Sequence, residues 1–138
     1  MKHKVETNWI GNMAFESQLG DHKIMLDVNS EKGVDDKGPR PKELLLSALG
    51  GCTAMDVISI LKKMRVEVDY FNVAIEADLS EEHPKVYTKM HLIYQFKGDN
   101  LNEQTLKKAI DLSQDKYCGV SAMFRKAMEL TYEIQILN

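Results

Sequence analysis

Two cysteines stand 66 positions apart in this chain, Cys52 and Cys118. A thiolate that attacks an O–O bond becomes a sulfenic acid, and a neighbouring thiol condenses with it to a disulfide. Two such residues therefore support a cycle in which one sulfur attacks and the other resolves. They equally suit a core as small hydrophobes, because free cysteine is among the most buried residue types. On the residues alone both readings stay open, as does the choice of attacking sulfur. Two thiols are too few for a zinc site built by cysteines alone. His3, His22, His83 and His91 show no HxH or HxxxH spacing, so no metal and no organic cofactor is assigned.

The residues around each sulfur bear on its reactivity. Gly50 and Gly51 precede Cys52 in a helical pattern, where each costs roughly 1 kcal/mol relative to alanine. They fit close helix packing or the approach of a ligand. A reactive thiolate needs positive charge nearby, since burial alone raises its pKa. Cys52 lies too far along its helix to use the N-terminal dipole, whereas Cys118, if it begins a helix, gains from the free N–H groups there. Three arginines exist. Arg65 is roughly 20 Å along the same helix from Cys52. Arg125 comes after Cys118, and Arg40 precedes the helix at its loop end, with Glu43 close by. Met55 and Met123 are core fillers or, with Leu49 and Phe124, walls of an apolar substrate pocket. Asp56, four residues after Cys52, suits a polar contact across an interface; a general base is the alternative.

These residues must be positioned by elements that the periodicity predicts. Val5, Thr7 and Trp9, then Met13, Phe15, Ser17 and Leu19, then Ile24, Leu26 and Val28 mark three strands broken at Gly11-Asn12 and Gly20-Asp21. Residues 29–41 form a polar connection. Pro41 then suits the first turn of a helix that stays apolar on nearly every side to Leu61. Such a helix must be covered all round. The rest of the chain is too short to do so, which predicts an obligate homodimer with this helix central. Two alternating strands come next, around Val73–Leu79 and Val86–Phe96. A second helix is capped by Asn100 with Glu103 three residues on, with a stripe of Leu106, Ala109, Ile110 and Ser113. A third, short helix covers Ser121–Met128, and Leu130, Tyr132, Ile134 and Ile136 mark a closing strand. The order is βββ-α-ββ-αα-β in a single domain over 1–138. Half-buried strands in hairpins predict an α+β fold with antiparallel sheets.

Composition narrows the class. With 18 basic and 21 acidic residues, the net charge of −3 gives no footprint for nucleic acid. The start of the chain turns polar at once and lacks a signal-peptide core. The apolar run Leu44–Leu61 nears membrane-spanning length, but Asp56 and its small polar neighbours favour a buried helix of a cytoplasmic protein.

The run from Gly38 to Asp56, GPRPKELLLSALGGCTAMD, resembles the central helix of the OsmC/Ohr family of peroxide-detoxifying proteins, and Lys116–Ser121, KYCGVS, resembles that family's second cysteine motif. The resemblance implies an intertwined homodimer with active sites at the subunit interface. It implies that Cys52 attacks a small-molecule peroxide, that Cys118 closes a disulfide, and that a dithiol reductant, lipoyl-linked in some members, restores both. The family pattern also supplies an arginine from the N-terminal strands and a glutamate just after the helix-opening proline. Here residues 1–39 contain no arginine and Lys42 comes directly after Pro41, so Arg40 (or Arg125) with Glu43 is the expected replacement. The rival expectation is a non-catalytic dimer that binds a small acyl or aromatic ligand, with both thiols inert.

Overall fold

Gly11, Asn12 and Gly20 take positive φ angles of 113°, 49° and 61°, and the chain reverses at each place. In the computed structural model, which describes residues 1–28 and 36–138, these turns join β1 (Glu6–Gly11), β2 (Ala14–Leu19) and β3 (His22–Leu26) into an antiparallel meander. Thr7 faces Ser17, and their hydroxyl oxygens lie 3.1 Å apart. The chain forms two compact units, Met1–Leu45 and Leu46–Asn138, and the meander belongs to the first.

Asp27 organises the backbone at the end of the meander. Its carboxylate accepts the backbone N–H groups of Val28 (2.7 Å) and Lys37 (3.0 Å), and its own N–H donates to the Pro39 carbonyl (3.2 Å). The Lys37 bond, opposed by burial, holds the carboxyl below its usual range. Gly38 is required here, because any Cβ would sit inside contact distance of the Met25 carbonyl oxygen and 2.6 Å from its carbon. The polar connection anticipated over 29–41 falls partly on residues 29–35, which lie outside the described residues.

The second unit is a sheet of β4 (Tyr70–Leu79), β5 (Tyr87–Lys97) and β6 (Glu129–Ile136) with helices packed on it. Met90, Leu92, Tyr94 and Phe96 alternate along β5 and are wholly buried, because side chains two apart share a face. Phe71 stacks on Phe96 with centroids 4.7 Å apart. Leu49, Val57 and Leu61 of α1 (Pro41–Lys63) complete this core with Leu106, Ala109 and Ile110 of α2 (Glu103–Leu112). These α2 residues are three of the four in the expected stripe, and the fourth, Ser113, is also buried.

Besides a third helix that spans Gly119–Arg125 where the sequence predicts Ser121–Met128, two details differ from the sequence reading. The cap of α2 is Asn102, whose side chain accepts from the N–H groups of Gln104 (2.8 Å) and Thr105 (3.3 Å). Asn100 has φ 57° and occupies the preceding turn instead, a left-handed conformation that asparagine tolerates. Secondly, β6 pairs with β5 in parallel, although β4 and β5 pair antiparallel. A strand that returns through a helical crossover comes back in the same direction, which a hairpin cannot do. The second sheet is thus mixed within an α+β fold.

Candidate active site at two cysteines

Ser113–Tyr117 forms a π-helical turn between α2 and α3 (Gly119–Arg125). Its signature is a bond from the Cys118 N–H to the Ser113 carbonyl, five residues back, at 2.7 Å. The wider turn adds a residue to the helical path and ends with Cys118 extended (φ −79°, ψ 100°) as the cap of α3. The Cys118 sulfur accepts the Ser121 N–H at 3.4 Å. Cys52 lies midway along α1, half-buried, and Asp56 stands one turn later on the same face. The two sulfurs and an Asp56 carboxylate oxygen all lie within 4.8 Å of one another. Both cysteines are free thiols.

The sulfurs are not equivalent. Cys118 is 2% exposed. Burial pushes its thiol up; the neighbouring Cys52 adds to that, while the Ser121 hydroxyl and N–H act the other way. A Cys118 thiol that keeps its proton beside a Cys52 thiolate can donate to it, a division of labour that two isolated cysteines lack.

Beneath the sulfurs runs a chain of buried polar groups whose directions are fixed by elimination. The Ser113 hydroxyl donates to Asp56 Oδ2 (2.9 Å), so it accepts from Thr53, whose Oγ1 lies 2.8 Å away. Thr53, having spent its proton, accepts from the Tyr94 hydroxyl (2.7 Å) and from Gln114 Nε2 (3.2 Å). The Gln114 amide also donates to the Tyr94 oxygen (2.8 Å). The Arg125 guanidinium donates to both the carbonyl and the Oε1 of Gln114, at 2.6 and 2.8 Å. Dipoles thus align from the Arg125 cation to the Asp56 carboxylate, and aligned bonds reinforce one another. Burial pushes the Tyr94 hydroxyl up to about 12, against the pull of the Gln114 amide that donates to it.

The other anticipated site residues are divided between the two units, Arg40 and Glu43 in the first and the rest in the second. Arg125 is engaged with Gln114. Arg40 meets the carboxylate of Asp36 at 3.6 Å, and that is its ion pair among the described residues; Glu43 is exposed in the first turn of α1. Leu49 is wholly enclosed in the core. Phe124 packs against that core half-buried, whereas Met55 and Met123 are 76% and 63% exposed. Sequence reasoning missed Tyr94, Thr53 and Gln114. Their signal was present: Thr53 interrupts the apolar run, and Tyr94 puts a hydroxyl on an inward strand position.

The OsmC-like protein family matches residues 34–133, a span that includes both cysteines and the polar chain beneath them. Protein YhfA of Escherichia coli strain K12 is 36% identical over 136 residues, which cover 97% of this chain and 98% of that protein. A hypothetical protein of Aquifex aeolicus VF5 has the same fold, with a TM-score of 0.84 and 31% identity over 100% of this chain and 99% of that one. The organic hydroperoxide resistance protein OhrB of Bacillus subtilis is similar in fold alone, with a TM-score of 0.69 and 14% identity over 98% of each chain. Matched by the family model over 34–133 and by a relative of 36% identity over nearly its whole length, the chain belongs to the OsmC-like protein family.

Proposed function

We propose that this protein reduces organic hydroperoxides with Cys52 as the attacking and Cys118 as the resolving residue. One observation carries the reading: two free thiols within 4.8 Å of each other, the deeper of them kept protonated by burial. The Cys52 thiolate displaces an alkoxide from the O–O bond, becomes a sulfenic acid, and the alkoxide takes a proton to leave as alcohol. The Cys118 thiol then attacks that sulfur, water leaves, and a disulfide forms. A dithiol restores both thiols and is itself oxidised to a disulfide. Closing the bond to about 2.05 Å brings together sulfurs that already lie within 4.8 Å. That the Bacillus subtilis protein of this fold is an organic hydroperoxide resistance protein motivates this class of oxidant. Arg40, oriented by Glu43, is the proposed cation for the thiolate, with Arg125, whose guanidinium donates to Gln114, as the alternative. The protein acts in a reducing cytoplasm and as a homodimer.

The test treats the reduced protein with a slight excess of cumene hydroperoxide, counts free thiols and maps disulfides by mass spectrometry. Loss of both thiols within seconds and a Cys52–Cys118 bond are expected; Cys52→Ser blocks the reaction. Unchanged thiols after an hour overturn the proposal. Arg40→Ala slows thiol loss about tenfold, equal to about 1.4 kcal/mol of barrier; an unaltered rate clears Arg40 of the role.

A second reading has its own support. A cleft of about 490 Å3 between α1 and β4 is lined by Gly50 and Gly51, by Leu46, Phe71, Val73 and Ile75, and by the polar Ser47 and Asn72. Its size falls in the range of small-molecule sites, and an acyl or aromatic ligand would fit its lining. Inert thiols together with saturable binding of a fluorescent fatty acid would favour this reading.

A further inference from the structure

We propose that Cys52, Cys118 and Asp56 form a zinc site that fills when both thiols are reduced and that shields them from oxidation. The sequence holds too few cysteines for a zinc site made of cysteine alone. The fold adds a carboxylate from α1 and brings all three donor atoms within 4.8 Å of one another. In a tetrahedral zinc centre sulfur sits at about 2.3 Å and carboxylate oxygen at about 2.0–2.2 Å from the metal, so donors stand roughly 3.5–3.8 Å apart. Side-chain rotations that move the donors by about an ångström close the difference.

The donor set selects the metal. Two thiolates are too soft for magnesium or calcium, and the hard carboxylate is a poor third ligand for copper(I), whereas zinc accepts both kinds. Three protein ligands leave a fourth position for water. The supporting shell is already built: the Ser113 hydroxyl on Oδ2 orients the Asp56 carboxylate, and the chain through Thr53, Tyr94 and Gln114 to Arg125 holds Ser113 in turn. Partners of this kind fix ligand geometry in metal sites. A carboxylate has about four lone-pair positions, so the serine leaves room for the metal. On the Asp56 side the site borders a cleft of about 270 Å3 that Ser59, Ile60, Lys63, Leu112 and Tyr117 also line.

Binding involves no electron transfer. Zn2+ displaces the protons that the two sulfurs carry, those protons pass to the buffer, and the Asp56 carboxylate completes the site. Lone pairs committed to zinc are withdrawn from attack on peroxide, and a disulfide offers no thiolate to the metal. Metal binding and oxidation therefore exclude each other. Zinc binding is independent of the peroxidase reading, because it requires only that the two sulfurs can be reduced together.

The test uses the reduced full chain without oxygen. Cobalt(II) is added first as a coloured probe, then zinc displaces it, with proton release monitored in a weakly buffered dye solution. Expected are one cobalt per chain, a thiolate-to-cobalt charge-transfer band, proton release on metal addition and loss of binding once the protein is oxidised with diamide. Asp56→Asn keeps the band while weakening zinc affinity about tenfold or more. Absence of the band in the unaltered protein overturns the site, as does an unchanged affinity in Asp56→Asn or an unchanged band in the Cys52→Ser, Cys118→Ser double variant. No peroxide enters this experiment and no metal enters the previous one, so each fails separately.

Discussion

Thr53 occupies a fully buried helix position that a valine would fill as well, yet its hydroxyl serves Tyr94, Ser113 and Gln114 together. Removing one member of a buried network strands the others without water to replace it. Thr53→Val is therefore expected to cost about 1–3 kcal/mol in urea unfolding despite its matching volume. A double-mutant cycle with Ser113→Ala measures the coupling; strictly additive losses would show that the two hydroxyls act independently. Tyr94 gives a pH signature of the same network. Its hydroxyl is pushed up to about 12 by burial, so the folded chain holds this proton more tightly than the unfolded chain, whose tyrosines titrate near 10. The resulting stability is whole below about pH 10 and is lost as pH rises through the folded value of about 12. Tyrosinate absorbance is expected to show Tyr94 un-ionised at about pH 11, and its appearance together with loss of secondary structure. The Tyr94→Phe variant identifies the missing component of that titration.

Among the elements, α2 is set by its two ends. Asn102 satisfies two N–H groups at the start, and the π turn at the far end delivers Cys118 to Cys52. Asn102→Ala is expected to remove about 1 kcal/mol of stability, seen as a lower thermal midpoint with thiol reactivity retained. If peroxide-driven thiol loss falls in step with the midpoint, the cap also controls the site. Asn100 was the nearer match to a capping-box spacing, but a cap must be extended, and Asn102 has φ −104° and ψ 119° where Asn100 has φ 57°. The parallel pairing of β6 was equally hidden. Strict alternation along Leu130–Ile136 shows that one face is buried without revealing the direction of the neighbouring strand.

At the scale of the whole molecule, α1 leaves much of its apolar surface uncovered. An 18-residue window of this helix has a mean hydropathy of 1.9, and 22% of the window is buried. Leu49, Val57 and Leu61 face the core of the second unit, but Met55 is 76% exposed, and in the first unit Trp9 is 67% exposed. The proposed homodimer would cover residues of this kind. Met55→Glu is expected to convert a sedimenting dimer to monomer, whereas at a truly solvated position it would change stability by no more than about 0.5 kcal/mol. A wild-type protein that sediments as a folded monomer at micromolar concentration refutes the dimer.

From the sequence alone, strand alternation, the helix opening at Pro41, the stripe on α2 and the two cysteine motifs were legible, because each depends on neighbours within a few residues. Local periodicity records which side of an element is apolar. It does not record what meets that side. The approach of Cys118 to Cys52, the recruitment of Asp56, and the chain from Arg125 through Thr53 and Tyr94 join residues of α1, β5, the π turn and α3. Those contacts were decided only when packing of the sheet and helices fixed distances between parts of the chain that local preferences leave free.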